Sequence, residues 1–145
     1  MANYATETNM ETLCPQIMEG GIADFEDQLT EASRRVDRDL LEWYRRESER
    51  RGVDSEDYPF DRDLVDDDDV TVLCAMKGIE LAAEVLTSHD PDGDVWSQIR
   101  DHYADEYAKE LKQILLVGVE YDWDESGTVE SDELPVRRRR RLKRA

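Results

Sequence analysis

Between Phe25 and Trp43 the apolar residues Phe25, Leu29, Ala32, Val36, Leu40 and Trp43 recur at intervals of four, three, four, four and three. At 3.6 residues per turn this spacing draws one stripe along a helix, and the stripe commits that helix to burying a single face. Asp24 is placed to cap its start. Arg50-Arg51-Gly52 ends it with cations at the negative end of the dipole and a glycine for the reversal.

Two further segments follow the same rule. Val70, Leu73, Cys74, Met76, Leu81, Ala82, Val85 and Leu86 make a helix apolar over much of its circumference, as a central helix must be. The acidic run Asp66–Asp69 precedes it, where carboxylates favour the positive helix end. A third stripe starts at Val95 or Trp96, after a cap at Asp92 or Asp94, and continues through Ile99, Tyr103, Tyr107, Leu111, Ile114 and Leu115. A shorter helical turn is expected after Pro15, closed by Gly20-Gly21. No pair of segments alternates as strands do. The predicted fold is therefore all-α, a small bundle of three long helices plus a short N-terminal helix, carrying an EF-hand-like loop and an extended basic C-terminal tail.

The expected organisation is a flexible N-terminal arm over residues 1–10, a helical bundle over 11–121, the loop over 122–133 and the tail over 134–145. A connector of roughly fifteen residues follows Gly52, and loops of that length are usually functional or flexible. Its Tyr58 and Phe60 are candidates to pin it to the body or to contact a neighbouring copy. The longest apolar run, around Ile114–Val119, falls far short of the ~18 residues a membrane helix needs, so no membrane partner is expected. There is no signal-peptide pattern either. Cys14 and Cys74 lack metal spacing, and Cys74 is expected as a small core residue.

The formal charge is −18, from 37 acidic and 19 basic residues. Seven of the basic residues lie in 137–144, which holds no acid, so residues 1–136 set twelve basic residues against 37 acidic ones, a net of −25. Such acidity often means disorder, but the three stripes argue otherwise. Four lysines against fifteen arginines, with Asp outnumbering Glu, point instead to molar salt, where self-repulsion is screened within about 3 Å.

The segment "DWDESGTVESDE", residues 122–133, has the spacing of a twelve-residue calcium loop. A hard cation wants six to eight oxygens, and this spacing supplies them. Asp122, Asp124 and Ser126 offer side-chain oxygens, Thr128 its carbonyl, Glu130 an oxygen directly or through water, and Glu133 a bidentate carboxylate. Gly127 takes the sharp turn. Chance would produce such a match in about a few per thousand acid-rich chains of this length. Leu134-Pro135 follow at once, so no exiting helix is expected, and a structural ion fits better than a regulatory one.

The tail holds Arg137, Arg138, Arg139, Arg140, Arg141, Lys143 and Arg144. Three readings are open: an arm docked on a partner protein through bidentate arginine pairs, a DNA contact, or a solvated segment. Phosphate binding falls as a power of salt close to 0.9 per contact, so molar salt weighs against DNA. Catalysis finds little support, since His89 and His102 have no cysteine or serine placed as a partner and phosphate-binding glycine patterns are missing. No enzymatic activity is expected.

The order of parts resembles a known family. "LTEASRRVDRDLLEWY" leads into a loop with "YPF", then the central "VLCAMKGIELAAEVL", then "YADEYAKELKQI" running into an Asp-x-Asp-x-x-Gly loop and a basic tail. Over residues 22–145 this is similar to the small α-helical head–tail connector (adaptor, or head-completion) proteins of tailed viruses. The resemblance implies a homo-oligomeric ring, commonly of twelve copies. That ring lies between the portal protein and a tail-side connector or tail-completion protein, with the C-terminal segment reaching the portal. With the acidic composition it implies a haloarchaeal tailed virus, a virion location at the head–tail interface and assembly in the host cytoplasm. The calcium loop is not implied by the family and rests on residues 122–133 alone. The competing reading is a soluble calcium-binding or DNA-associated protein of a halophile.

Overall fold

A computed structural model describes residues 2–89, 94–130 and 132–133. Helix α1 spans Glu7–Leu13, followed by a 3-10 turn over Pro15–Gly20; α2 spans Glu26–Arg51, a second 3-10 turn Arg62–Leu64, α3 Asp68–His89 and α4 Asp94–Val117. The described residues are mostly helical, with one isolated antiparallel bridge, Val65 to Tyr121.

The stripes largely face where their spacing says, but Val85 of α3 and Val95 at the start of α4 are exposed. Leu29, Ala32, Val36, Leu40 and Trp43 of α2 are buried, and α3 buries Val70, Leu73, Cys74, Ala75, Ile79, Ala82 and Ala83 completely or nearly so. Helix α3 packs against α1, α2 and α4, which explains why its apolar surface wraps around it. At Gly78 a Cβ would stand 3.3 Å from the Met10 sulfur and 3.4 Å from Leu29 Cδ2, so the glycine lets α1 and α2 approach closely. Gly21 and Gly52 both adopt left-handed backbone, at φ 86° and 73°, and end the 3-10 turn and α2. Asp24 does not stand at the cap of α2, which is Phe25; its carboxylate accepts from the Glu26 amide just inside.

Residues 2–10 are not a flexible arm but part of the packed bundle. Thr6 and Asn9 form a reciprocal capping box that starts α1. Ala5 and Met10 are buried in the core. The Tyr4 hydroxyl donates to Asp37 at 2.6 Å, and its amide donates to the Ser33 hydroxyl at 3.2 Å. Asp37 also receives the Arg62 guanidinium, whose Nε lies 3.0 Å from Oδ2. Two buried side chains make no stripe, so the periodicity argument misses this anchor. Both cysteines are free and buried, with Cys74 in the core as expected.

Candidate metal centre

The segment after α4 is held to the connector before α3 by backbone pairing. The Asp66 amide donates to the Glu120 carbonyl at 3.1 Å, and the Asp122 amide to the Leu64 carbonyl at 2.8 Å. Asp67, buried ahead of α3, accepts from the Glu120 amide with one carboxylate oxygen (2.9 Å) and from the Asp69 amide with the other (3.0 Å). These bonds fix the backbone at the position where the acidic loop begins.

Alternation then sorts the side chains. Tyr121 is buried and Trp123 half-buried among aromatic rings, with Trp123 stacked on Tyr44 at 5.4 Å and Tyr121 on Phe60 at 5.8 Å. Asp122 and Asp124 alternate with these rings and belong to the acidic loop, Asp122 buried and Asp124 exposed. Asp122 is 5% exposed and accepts from the amides of Ser126 (3.2 Å) and Gly127 (2.8 Å). Gly127 reaches that position with φ 94°, and Glu125 also takes left-handed backbone, at φ 56°. Glu133 closes the loop. It is 3% exposed, and its two carboxylate oxygens accept from the amides of Asp124 (2.9 Å) and Glu130 (3.0 Å).

The outcome is that ligand atoms of Asp122, Asp124 and Glu133 all lie within 4.8 Å of one another. Ser126 is adjacent, its hydroxyl 3.4 Å from Asp122 Oδ1 and donating to the Thr128 carbonyl at 3.0 Å. Glu130 stands outside the converging set and is exposed. The charge of Asp124 nevertheless raises its pKa above the ordinary glutamate value, with desolvation and then the other loop carboxylates adding to the effect. Asp124 itself is lowered by hydrogen bonds from the Ser126 side chain and amide. Three carboxylates packed this closely repel, and a hard dication among them would convert that repulsion into attraction.

Residues not anticipated as functional complete the site. Arg51, at the last turn of α2, donates to the carbonyls of Asp132 (3.3 Å) and Glu133 (3.1 Å) while lying 4.9 Å over the Trp123 ring. Its place at the helix end suggested only a dipole role. Of the residues expected at a partner interface, Tyr58 is 65% exposed, whereas Phe60 packs into the aromatic wall. The tail residues Arg137–Arg141, Lys143 and Arg144, and residues 90–93 between α3 and α4, lie outside the described residues.

No described helix is long and apolar enough to cross a membrane. Compared with models of known families, with curated proteins and with solved structures, the chain matches none.

Proposed function

We propose that this chain is a non-catalytic structural adaptor of the head–tail connector type, with one calcium ion bracing the joint between α4 and its basic tail. The observation that carries the reading is the convergence of Asp122, Asp124 and Glu133 at the point where the bundle hands over to the tail. Ser126, Thr128 and Glu130 would complete the oxygen shell, Glu130 after a side-chain turn or through water. The connector assignment is supported by the resemblance in the order of parts, and the helical bundle is compatible with it. In this reading the tail docks on the portal protein, copies associate as a ring, and a tail-side connector binds beneath. The acidic surface suits a virion assembled in molar salt.

Two measurements test it. Calcium should raise the thermal midpoint of the full chain, because a ligand that binds only the folded state stabilises it by mass action. Asp122→Ala with Glu133→Ala should abolish that rise while the helical signal persists. A full chain whose midpoint ignores calcium has no such joint. For the adaptor role, the mass of the chain should shift to that of a ring when portal protein is added. A chain that stays monomeric beside the portal and instead retards DNA would favour the DNA-associated reading.

A further inference from the structure

Beside the acidic loop, whose Asp124 and Glu125 help to line it, lies an open groove of about 750 Å³. Its floor is aromatic, with Phe60 and Trp123, and Tyr58 stands over it largely exposed. Its rim is acidic, with Asp57, Asp63 and Glu125, all three exposed. No described basic side chain lines it. Aromatic rings with carboxylates around them are an environment that suits a guanidinium, since its plane packs on a ring such as Phe60 or Tyr58 while its fork pairs with the acids.

The chain carries its own candidate. Glu133 is held by Arg51, whose guanidinium bridges from the Glu133 carbonyl to the face of Trp123. The next twelve residues, 134–145, therefore start one guanidinium away from a residue of the groove. They include seven of the nineteen basic residues in the protein. Leu134, Pro135 and Val136 span about 10 Å when extended, enough to bring Arg137 over the groove, and the whole segment can span about 40 Å. The indole N–H of Trp123 is also buried without an acceptor among the described residues.

We infer that the groove lined by Tyr58, Phe60, Trp123 and the Asp57, Asp63 and Glu125 carboxylates is the resting site of the chain's own arginine-rich segment, residues 137–144. Tethering makes the encounter intramolecular, with the high effective concentration that a short linker provides. Stacking and bidentate pairing act at contact range, so molar salt weakens them less than it weakens long-range attraction. The inference does not depend on the connector reading, but it adds a condition to it: the tail must leave this groove before it can dock elsewhere.

The test uses the full chain with a nitroxide on Ala145→Cys and the isotope-labelled aromatic side chains observed by NMR. The unsubstituted chain, with its buried Cys14 and Cys74, is carried through the same labelling as the control. The Tyr58 and Trp123 signals should lose most of their intensity, while those of Trp96 on α4 should not. Asp57→Asn with Asp63→Asn and Tyr58→Ala should restore the Trp123 signal and, apart from the lost Tyr58 signal, leave the remaining spectrum unchanged. Unbroadened Tyr58 and Trp123 signals in the parent chain would overturn the proposal, as would broadening that survives the triple substitution. A mixture of spin-labelled chains and separate isotope-labelled chains should show no effect. Equal broadening there would mean that the groove takes the tail of a second copy, and the intramolecular assignment would fall.

Discussion

Arg51 and Glu133 are 82 residues apart in the chain, yet the guanidinium at the end of α2 donates to the Glu133 carbonyl at 3.1 Å. The same side chain bonds Glu47 one turn back and lies over Trp123, so one residue ties the last turn of α2 to both ends of the acidic loop. The sequence predicts no exiting helix after Glu133, so this bond to its backbone braces the end of the loop from α2.

Arg51→Met should expose the value of that brace. Methionine keeps an apolar stem beside Trp123 but removes the donors to Asp132 and Glu133. Hydrogen bonds involving a charged group are worth about 1.5–3 kcal/mol, and the exposed one to Asp132 adds little. Calcium affinity is therefore expected to fall about tenfold or somewhat more, at 1.4 kcal/mol per factor of ten. Isothermal titration checks this, and affinity equal to that of the parent chain would show that the loop closes unaided.

Glu130 provides a pH signature of the bare loop. Its pKa is raised chiefly by the charge of Asp124, so the folded chain binds this proton more tightly than the unfolded chain does. Its contribution to stability is thus present below the unfolded value and lost as pH rises through the folded one. Asp124 has the opposite sign: lowered by its Ser126 bonds, it contributes above its unfolded value and loses that contribution as pH falls. Carboxyl-carbon NMR titration should place Glu130 above the ordinary range without calcium. Adding calcium, or making Asp124→Asn, should bring it down. A Glu130 midpoint unmoved by either would contradict the assigned cause.

Asp37 is the test of the N-terminal anchor. It receives the Tyr4 hydroxyl and the Arg62 guanidinium together, and Arg62 also donates to the Ala2 carbonyl at 3.3 Å. Removing one partner of a fully buried pair costs about 3–5 kcal/mol; Asp37 keeps a side-chain exposure of 26%, so about 2–3 kcal/mol is expected for Asp37→Ala. At roughly 3–4 °C per kcal/mol for a chain of this size, the midpoint should fall by about 6–12 °C. Residues 2–6 should also become cleavable by protease in the folded variant. A shift under about 2 °C would mean that the anchor adds little.

The long helices were legible because a stripe is a local pattern: Leu29 and Val36 declare their face whatever they pack against. The N-terminal anchor was not, since the partner of Tyr4 is 33 residues away and α1 buries only Met10. In the acidic loop the sequence marked Asp122, Asp124 and Glu133 as candidate partners, and their convergence follows from local turns at Glu125 and Gly127, whereas Glu130 of the same expected set stays outside it. What holds the loop was not legible. Arg51, Asp67 and the bridge between Val65 and Tyr121 are contacts between segments far apart in sequence, and no spacing rule reaches that far.

Tyr58 and Phe60 were expected to act together, and the structure separates them. The Phe60 ring lies 5.4 Å from that of Tyr44 and 5.8 Å from that of Tyr121, while the Tyr58 side chain is mostly in solvent and its backbone alone is tied, the carbonyl accepting from the Tyr44 hydroxyl and the amide donating to the Asp54 carbonyl. Phe60→Ala should therefore destabilise the fold by about 2–3 kcal/mol, below the 3–5 kcal/mol of a fully buried phenylalanine because this ring is only partly covered. Tyr58→Ala should change stability by less than about 0.5 kcal/mol, as exposed substitutions usually do. If copies associate through this loop, Tyr58 is the available anchor, since exposed aromatics that become buried supply much of an interface's energy. The resting tail would cover the same ring, so docking of the tail on the portal would uncover Tyr58 for a neighbour. Thermal melts and the mass of the portal-bound assembly together check this. A folded Tyr58→Ala chain should bind the portal without completing the ring, and one that completes it normally would remove Tyr58 from the contact.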